Sequence, residues 1–384
     1  MVTPTRKLAR SSAKTYKTDG TAVALLHQVQ PCASLAIDPA AIQCRAFEPQ
    51  DAALWDQFVE QHPSGSLFHL LAWKRTVEES FRYTPFYALA SEGGRISGVL
   101  PLFLVQNPVL GRALISSPFA VYGGILASSP DSLRALREYA IELGREMKVD
   151  YIEFRNAWPE QCAGEPNVHR YVTFTQPLEN VDDDELLRRL PKKTRNMIRK
   201  ALRTPFSMRY NVRECDVMHD VHSRNMRRLG TPNFPPRYFR NLLRNFGPMA
   251  DVREVVLDGR PMAVSMNLYF KGEMHTYHAA ADARFSALAP NMYMYFDHLR
   301  WASRNGYHTF DFGRSKHGTG AFEFKTHWNT TMRELPYEVI LIRRKELPNF
   351  SPANPKFEMM TRVWRNLPLP VARSLSPFIS PLFP

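Results

Sequence analysis

Between about Arg45 and Arg344 the apolar positions alternate between a period near 3.6 and a period of two, in helix-then-strand order. Leu54, Trp55, Phe58 and Val59 share one helical face and predict a helix over 51–61, opened by Asp51. A second helix is expected over 70–80. A strand over 85–90, a Gly93-Gly94 turn and a strand over 96–105 have the grammar of a hairpin. A longer helix, 131–147, then leads into a strand at 151–154. The second half repeats this order. Strands are expected at 252–257, 261–270 and 273–281, separated by Asp258-Gly259 and Lys271-Gly272, followed by a helix over 291–305 and a strand at 309–312. Val149–Phe154 lies against Tyr307–Phe312, and Gly94 against Gly259, at a near-constant offset of about 160 residues. The pattern therefore predicts two copies of one α/β unit, an N-terminal domain over 45–180 and a C-terminal domain over 181–345.

The two ends read differently. Residues 1–44 are basic and rich in Ser, Thr and Gly, and are expected to form a disordered tail; the apolar run Thr21–Leu26 is too short for a signal peptide. Over 346–384 the prolines leave room for one short helix, 356–367. Its apolar stripe of Phe357, Met360, Val363, Trp364 and Leu367 is expected to dock on its own domain. The alternative is a basic amphipathic contact with a membrane surface. No run reaches the roughly 18 apolar residues of a spanning helix. Four cysteines without a CxxC pair indicate a reducing compartment and a cytoplasmic protein.

Composition adds a partner. A hydrophobic fraction of 44% excludes disorder along the whole chain, and the net charge of +13 favours an anionic ligand. Most of that excess lies between Glu185 and Arg213, where ten basic residues face one acid. Arg195 and Arg199 in this run are candidates for a phosphorylated ligand. Phosphate-loop, dinucleotide, nucleophile-elbow and zinc-protease motifs are absent. Cys215, His219 and His222 fall at helical spacing without a fourth ligand, and His275 and His278 are expected on opposite faces of a strand, so no metal site is expected. The densest candidate chemistry is Phe310–Ser315, followed by Gly320–Lys325. Asp311 and Arg314 sit where a strand meets glycines, as in α/β sites. The alternation in Phe322–Lys325 predicts a strand that turns Lys325 to one face and its phenylalanines to the other.

These residues carry a resemblance. The run Lys192-Lys193-Thr194-Arg195-Asn196-Met197-Ile198-Arg199-Lys200-Ala201 resembles the KKTRxxIxKA helix of the FemAB family, and Phe324-Lys325 is similar to that family's C-terminal FK pair. Asp311–Ser315, with Pro290-Asn291 before it, resembles the FemAB-like or BioF2-like acetyltransferases, especially those associated with exosortase (PEP-CTERM) and exopolysaccharide systems. The resemblance implies two tandem GNAT-like domains, each a mixed sheet flanked by helices, and an acyl- or aminoacyltransferase. It implies no tightly bound cofactor, an acyl-CoA or aminoacyl-tRNA co-substrate, and a phosphorylated or glycan-type acceptor from the cell envelope. Direct attack on the donor is expected, since no Ser–His or Cys–His pair suggests an acyl-enzyme. In that scheme Lys325 and Asp311 are catalytic, with Lys325 holding the developing negative charge. Phe324 packs against the donor, Tyr277 binds the acceptor, Arg228 and Tyr238 take its phosphate or carboxylate, and Arg314 and Asn291 complete the substrate site. At the place of the family's pyrophosphate loop the chain reads Arg284–Ala289, with alanine in place of the first glycine. A non-catalytic GNAT-like binding module for a phosphorylated or polysaccharide partner is the alternative.

Overall fold

The computed structural model describes residues 42–108, 111–169, 171–179, 181–346 and 355–384, which belong to one compact unit. The tail expected over 1–44 lies outside these residues up to 41, and Gln43–Ala46 already form the first strand, β1. Helices α1 (Ala52–Gln61) and α2 (Leu71–Phe81) follow close to their expected limits. The next two expected strands are each divided. β2 (Thr84–Pro85) and β3 (Ala88–Glu92) are separated at Phe86-Tyr87, and β4 (Arg95–Leu100) and β5 (Leu102–Asn107) are separated at Pro101. Proline has no N–H to give a ladder, so the chain leaves one sheet there and enters another. The turn between β3 and β4 uses Gly93 and Gly94, both at positive φ, as a two-residue hairpin turn demands. Strands β6 (Gly111–Ser116) and β7 (Leu126–Ala127) precede helix α3 (Pro130–Glu146), whose Ser129 side chain caps the first turn, and strand β8 (Tyr151–Phe154).

Strand β9 (Tyr171–Pro177) leads to α4 (Asp183–Arg189), α5 (Lys192–Leu202), β10 (Ser207–Val212), α6 (Asp216–Leu229) and α7 (Pro236–Phe246). Three long strands come next, β11 (Ala250–Leu257), β12 (Arg260–Phe270) and β13 (Glu273–Ala281), then α8 (Pro290–Arg304) and β14 (Thr309–Lys316). The strand expected at Phe322–Lys325 is a helix, α9 (Gly320–Thr326). Thr319 caps it by accepting from the Phe322 amide, and a four-residue alternation is too short to separate a strand from a helical turn. Strands β15 (Thr331–Glu334) and β16 (Glu338–Leu341) are followed by two terminal helices, α10 (Pro355–Asn366) and α11 (Leu369–Ile379). Only the first was expected.

The strands form a four-stranded sheet β1-β3-β4-β7, a five-stranded sheet β16-β8-β6-β5-β2, and a seven-stranded sheet β10-β11-β12-β13-β14-β9-β15. Each of the two larger sheets holds one parallel pair, β6–β8 and β13–β14, and each pair is joined through a helix packed on the sheet. This is the repeat seen in the sequence. The copies also trade strands: β9 leaves the first half to pair with β14, and β16 returns from the second half to pair with β8. One hydrophobic cluster, from Trp55, Phe68 and Trp73 to Phe239, Leu242 and Met266, runs through both halves.

Candidate active site

The parallel ladder between β13 and β14 has three rungs, Glu273↔Thr309, Met274↔Phe310 and His275↔Asp311, and then the strands part. On β14 the register shifts between Asp311 and Gly313, and Gly313 has a φ of +76° that a side chain would strain. The last rung therefore sets His275 and Asp311 side by side at the mouth of a fork. Both are buried, and His275 Nδ1 donates to Asp311 Oδ2 at 2.9 Å. The Tyr122 hydroxyl, from the first half, donates to the same oxygen at 2.9 Å, while the Gly313 amide donates to Oδ1 at 2.6 Å. Burial raises the Asp311 carboxyl, but His275, the Gly313 amide and Tyr122 outweigh it and hold the group below its usual range. Asp311 is thus an anion that fixes the imidazole by its Nδ1 face. Nε2 of His275 is buried with no protein partner, and a Cβ placed on Gly313 would lie 3.3 Å from it.

His275, Asp311 and Tyr122 line a cavity of about 450 Å³. Phe68 closes one side, its ring edge-on to His275 at 5.8 Å. Lys271 and Arg333 bring positive charge to the same cavity, and Arg333 stacks over Trp158 at 3.6 Å. Burial lowers both cations from their ordinary values.

Lys325 stands behind this site. Its Nζ donates to the carbonyls of Gly313 at 2.8 Å and Arg314 at 2.9 Å, so two of its three donors hold the irregular turn of β14. It is 8% exposed, and burial pushes the ammonium down to about 7, against a smaller opposite pull from Asp311. Lys325 does not line the cavity. Arg314 makes no ion pair with Asp311; it donates to the Tyr337 hydroxyl at 2.9 Å and lies over the Tyr171 ring at 4.6 Å.

The other expected residues scatter. Phe324 is half-buried and packs on Tyr295, with ring centroids 5.0 Å apart, against the core of the second half. Tyr277 and buried Tyr238 share a hydroxyl–hydroxyl bond of 2.7 Å, and Tyr277 donates to the Phe119 carbonyl. This joins α7, β13 and a first-half loop; Tyr277 packs behind Phe68 and His275 but does not itself line the cavity. Arg228 is exposed and donates to Asn225. On α5, Thr194, Ile198 and Ala201 are buried, so Arg199 faces solvent while Arg195 is half-buried and donates to the Arg188 carbonyl. Asn291 lies in the first turn of α8. In the loop before it, the amides of Arg284, Phe285 and Ala289 donate within the loop, to Asp282 and Ser286, rather than outward. His275 and His278 do face different surroundings: His278 packs against His222 and Phe239. Tyr122 and Arg333 were missed by sequence reasoning and His275 was weighed only as a metal ligand, since their meeting depends on strand pairings across distant parts of the chain. A histidine amid the apolar residues of β13 was the one visible signal.

Residues 188–326 match the family described as acetyltransferase (GNAT) domain. A lipid II:glycine glycyltransferase of Staphylococcus aureus is 25% identical over 178 residues, covering 41% of this chain and 42% of that protein, so the chain spans less than half the length of the curated relatives it matches. Among solved structures, FemX superposes with a TM-score of 0.62 at 16% identity, covering 78% of this chain and 98% of FemX. A conserved protein of unknown function from Bacteroides thetaiotaomicron gives a TM-score of 0.52 at 13% identity, covering 78% of this chain and all of its own. Residues 188–326 thus match an acetyltransferase (GNAT) domain, and the chain shares its mixed α/β fold with FemX.

Proposed function

We propose that the chain is an acyltransferase that moves an acyl group from an ester or thioester donor to an amine or hydroxyl of a phosphorylated, glycan-type cell-envelope or exopolysaccharide precursor. The observation that carries this reading is the Asp311-oriented His275, a lining residue of a cavity large enough for a small acceptor group, whose buried Nε2 has no protein partner where β13 and β14 part. An imidazole held at Nδ1 by a carboxylate keeps its Nε2 lone pair ready to accept a proton. In this scheme the acceptor N–H or O–H attacks the acyl carbon and its proton passes to Nε2. The carbon–sulfur or carbon–oxygen bond of the donor then breaks, and the imidazolium returns the proton to the leaving thiol or hydroxyl. No covalent enzyme intermediate is needed. Arg333 and Lys271 give the cavity cations for an acceptor phosphate, and the exposed basic face of α5 suits the phosphates of the donor, whether coenzyme A or tRNA.

Lys325 acts here as a positioning residue. By holding the carbonyls of Gly313 and Arg314 it keeps the turn that aims the Gly313 amide at Asp311. The inward-turned amides of the Arg284–Ala289 loop favour a donor other than acyl-CoA held by its pyrophosphate at that loop, and so favour aminoacyl-tRNA.

The test is mass spectrometry of lipid II and phosphorylated sugars after incubation with acyl-CoA or aminoacyl-tRNA. Acyl addition is expected with the native protein, and His275→Gln should cut turnover by about 10²–10⁴-fold without loss of folding. Full turnover by His275→Gln would remove the proposed base. No addition with any donor, together with measurable acceptor binding, would leave the non-catalytic binding module.

A further inference from the structure

The two terminal helices leave apolar side chains in solvent to a degree seen nowhere else in the described residues. Six of the thirteen exposed large hydrophobic residues, Met359, Met360, Val363, Val371, Leu375 and Phe378, fall within this short stretch, and Phe378 is 76% exposed. Their spacing is helical. Met359 and Val363 are i, i+4 on α10, while Val371, Leu375 and Phe378 are i, i+4, i+7 on α11. Each helix therefore has two apolar sides. The inner side docks: Trp364 is buried, Asn233 donates its amide to Ser376, and Arg373 pairs with Asp220 on α6. The expectation that the α10 stripe packs on the protein holds for Trp364, but Met360 and Val363 of that stripe stay outside.

Charge selects what covers this outer side. Apart from the inward-paired Arg373, the chain from Pro355 to Pro384 carries Lys356, Arg362 and Arg365 against the single acid Glu358. Arg362 and Arg365 are exposed beside the apolar positions. A second copy of the chain seated here through a two-fold axis would bring this basic surface against itself. An anionic lipid surface meets both properties at once, taking the apolar side chains to the acyl boundary and the arginines to the headgroups. No helix among the described residues is long and apolar enough to cross a membrane, so the contact lies in the interface plane.

We propose that α10 and α11 form an interfacial docking surface for an anionic membrane. The probe is flotation of the full chain with vesicles of phosphatidylcholine alone or of phosphatidylcholine and phosphatidylglycerol in equal parts. The protein is expected to float with the anionic vesicles and to be released by salt. Leu375→Ser with Phe378→Ser should lower the bound fraction about tenfold or more, and Arg362→Glu with Arg365→Glu should lower it too. Leu375 and Phe378 are exposed, so an unchanged melting temperature is expected for that pair and separates lost docking from lost folding. Failure of the native chain to float, flotation unaffected by either double substitution, or equal binding to phosphatidylcholine alone would each overturn the proposal. Light scattering that shows a dimer abolished by Leu375→Ser with Phe378→Ser, without vesicle binding, would assign the surface to a second copy instead.

Discussion

Lys325 is an amine held almost entirely away from water, and that placement has a thermodynamic signature. Its ordinary value near 10.5 applies in the unfolded chain, whereas burial pushes it down to about 7 in the folded protein. Between those limits the unfolded state binds more protons, so this group makes stability rise with pH from about 7 towards 10.5, and imposes its full cost below pH 7. Thermal unfolding of the native chain and of Lys325→Met, run as a function of pH, should show a rise across this window that is flatter in the variant. Parallel curves would mean that the lysine is solvated. The sequence pointed to Lys325 and Asp311 as important, because polar residues beside glycines at the end of an apolar strand have few structural reasons to be there. It placed Lys325 on the wrong kind of element, and it could not see His275 as the partner of Asp311. That pair is 36 residues apart and meets only through a parallel rung.

Helix α5 turns an apolar face inward and a basic face to solvent. Thr194, Ile198 and Ala201 fix its inner face, and Lys192, Lys193, Arg199, Lys200 and Arg203 are exposed. Arg199→Glu with Lys200→Glu should weaken binding of tRNA or another phosphorylated ligand about tenfold and flatten its salt dependence. The matching control is Arg134→Glu with Arg145→Glu on α3, since both arginines are exposed and make only i, i+3 pairs. Arg137 on the same helix is unsuitable because it holds the buried Glu338. Equal losses in the two variants would reduce α5 to general electrostatics. The helices expected over 51–61, 70–80, 131–147 and 291–305 were legible to within a residue or two, since their period persists over several turns, whereas α6 and α7 were not read as helices. Strands were legible as apolar runs but not as sheet members: nothing local says that Pro101 carries the chain between sheets. Helix α11 escaped because its prolines read as breakers. Pro370 lies in the first turn, where a missing N–H costs nothing.

At the scale of the molecule, the repeat was legible and the exchange of strands was not, because pairing partners such as β8 and β16 are separated by nearly half of the chain. Each half completes its sheet with a strand from the other, and one apolar cluster spans both. Calorimetry should therefore show one cooperative transition, with calorimetric and van't Hoff enthalpies in agreement. Residues 45–180 made alone should lack a cooperative melt, and two separate transitions in the full chain would contradict this picture. The exchange also orders events during synthesis. When the ribosome has released β8, its outer edge has no neighbour until Glu338–Leu341 emerge, nearly two hundred residues later. For that interval the nascent first half presents an open strand edge, a template for pairing with other chains. Slow translation through the second half should therefore lower the soluble yield, and a chaperone that shields strand edges should restore it.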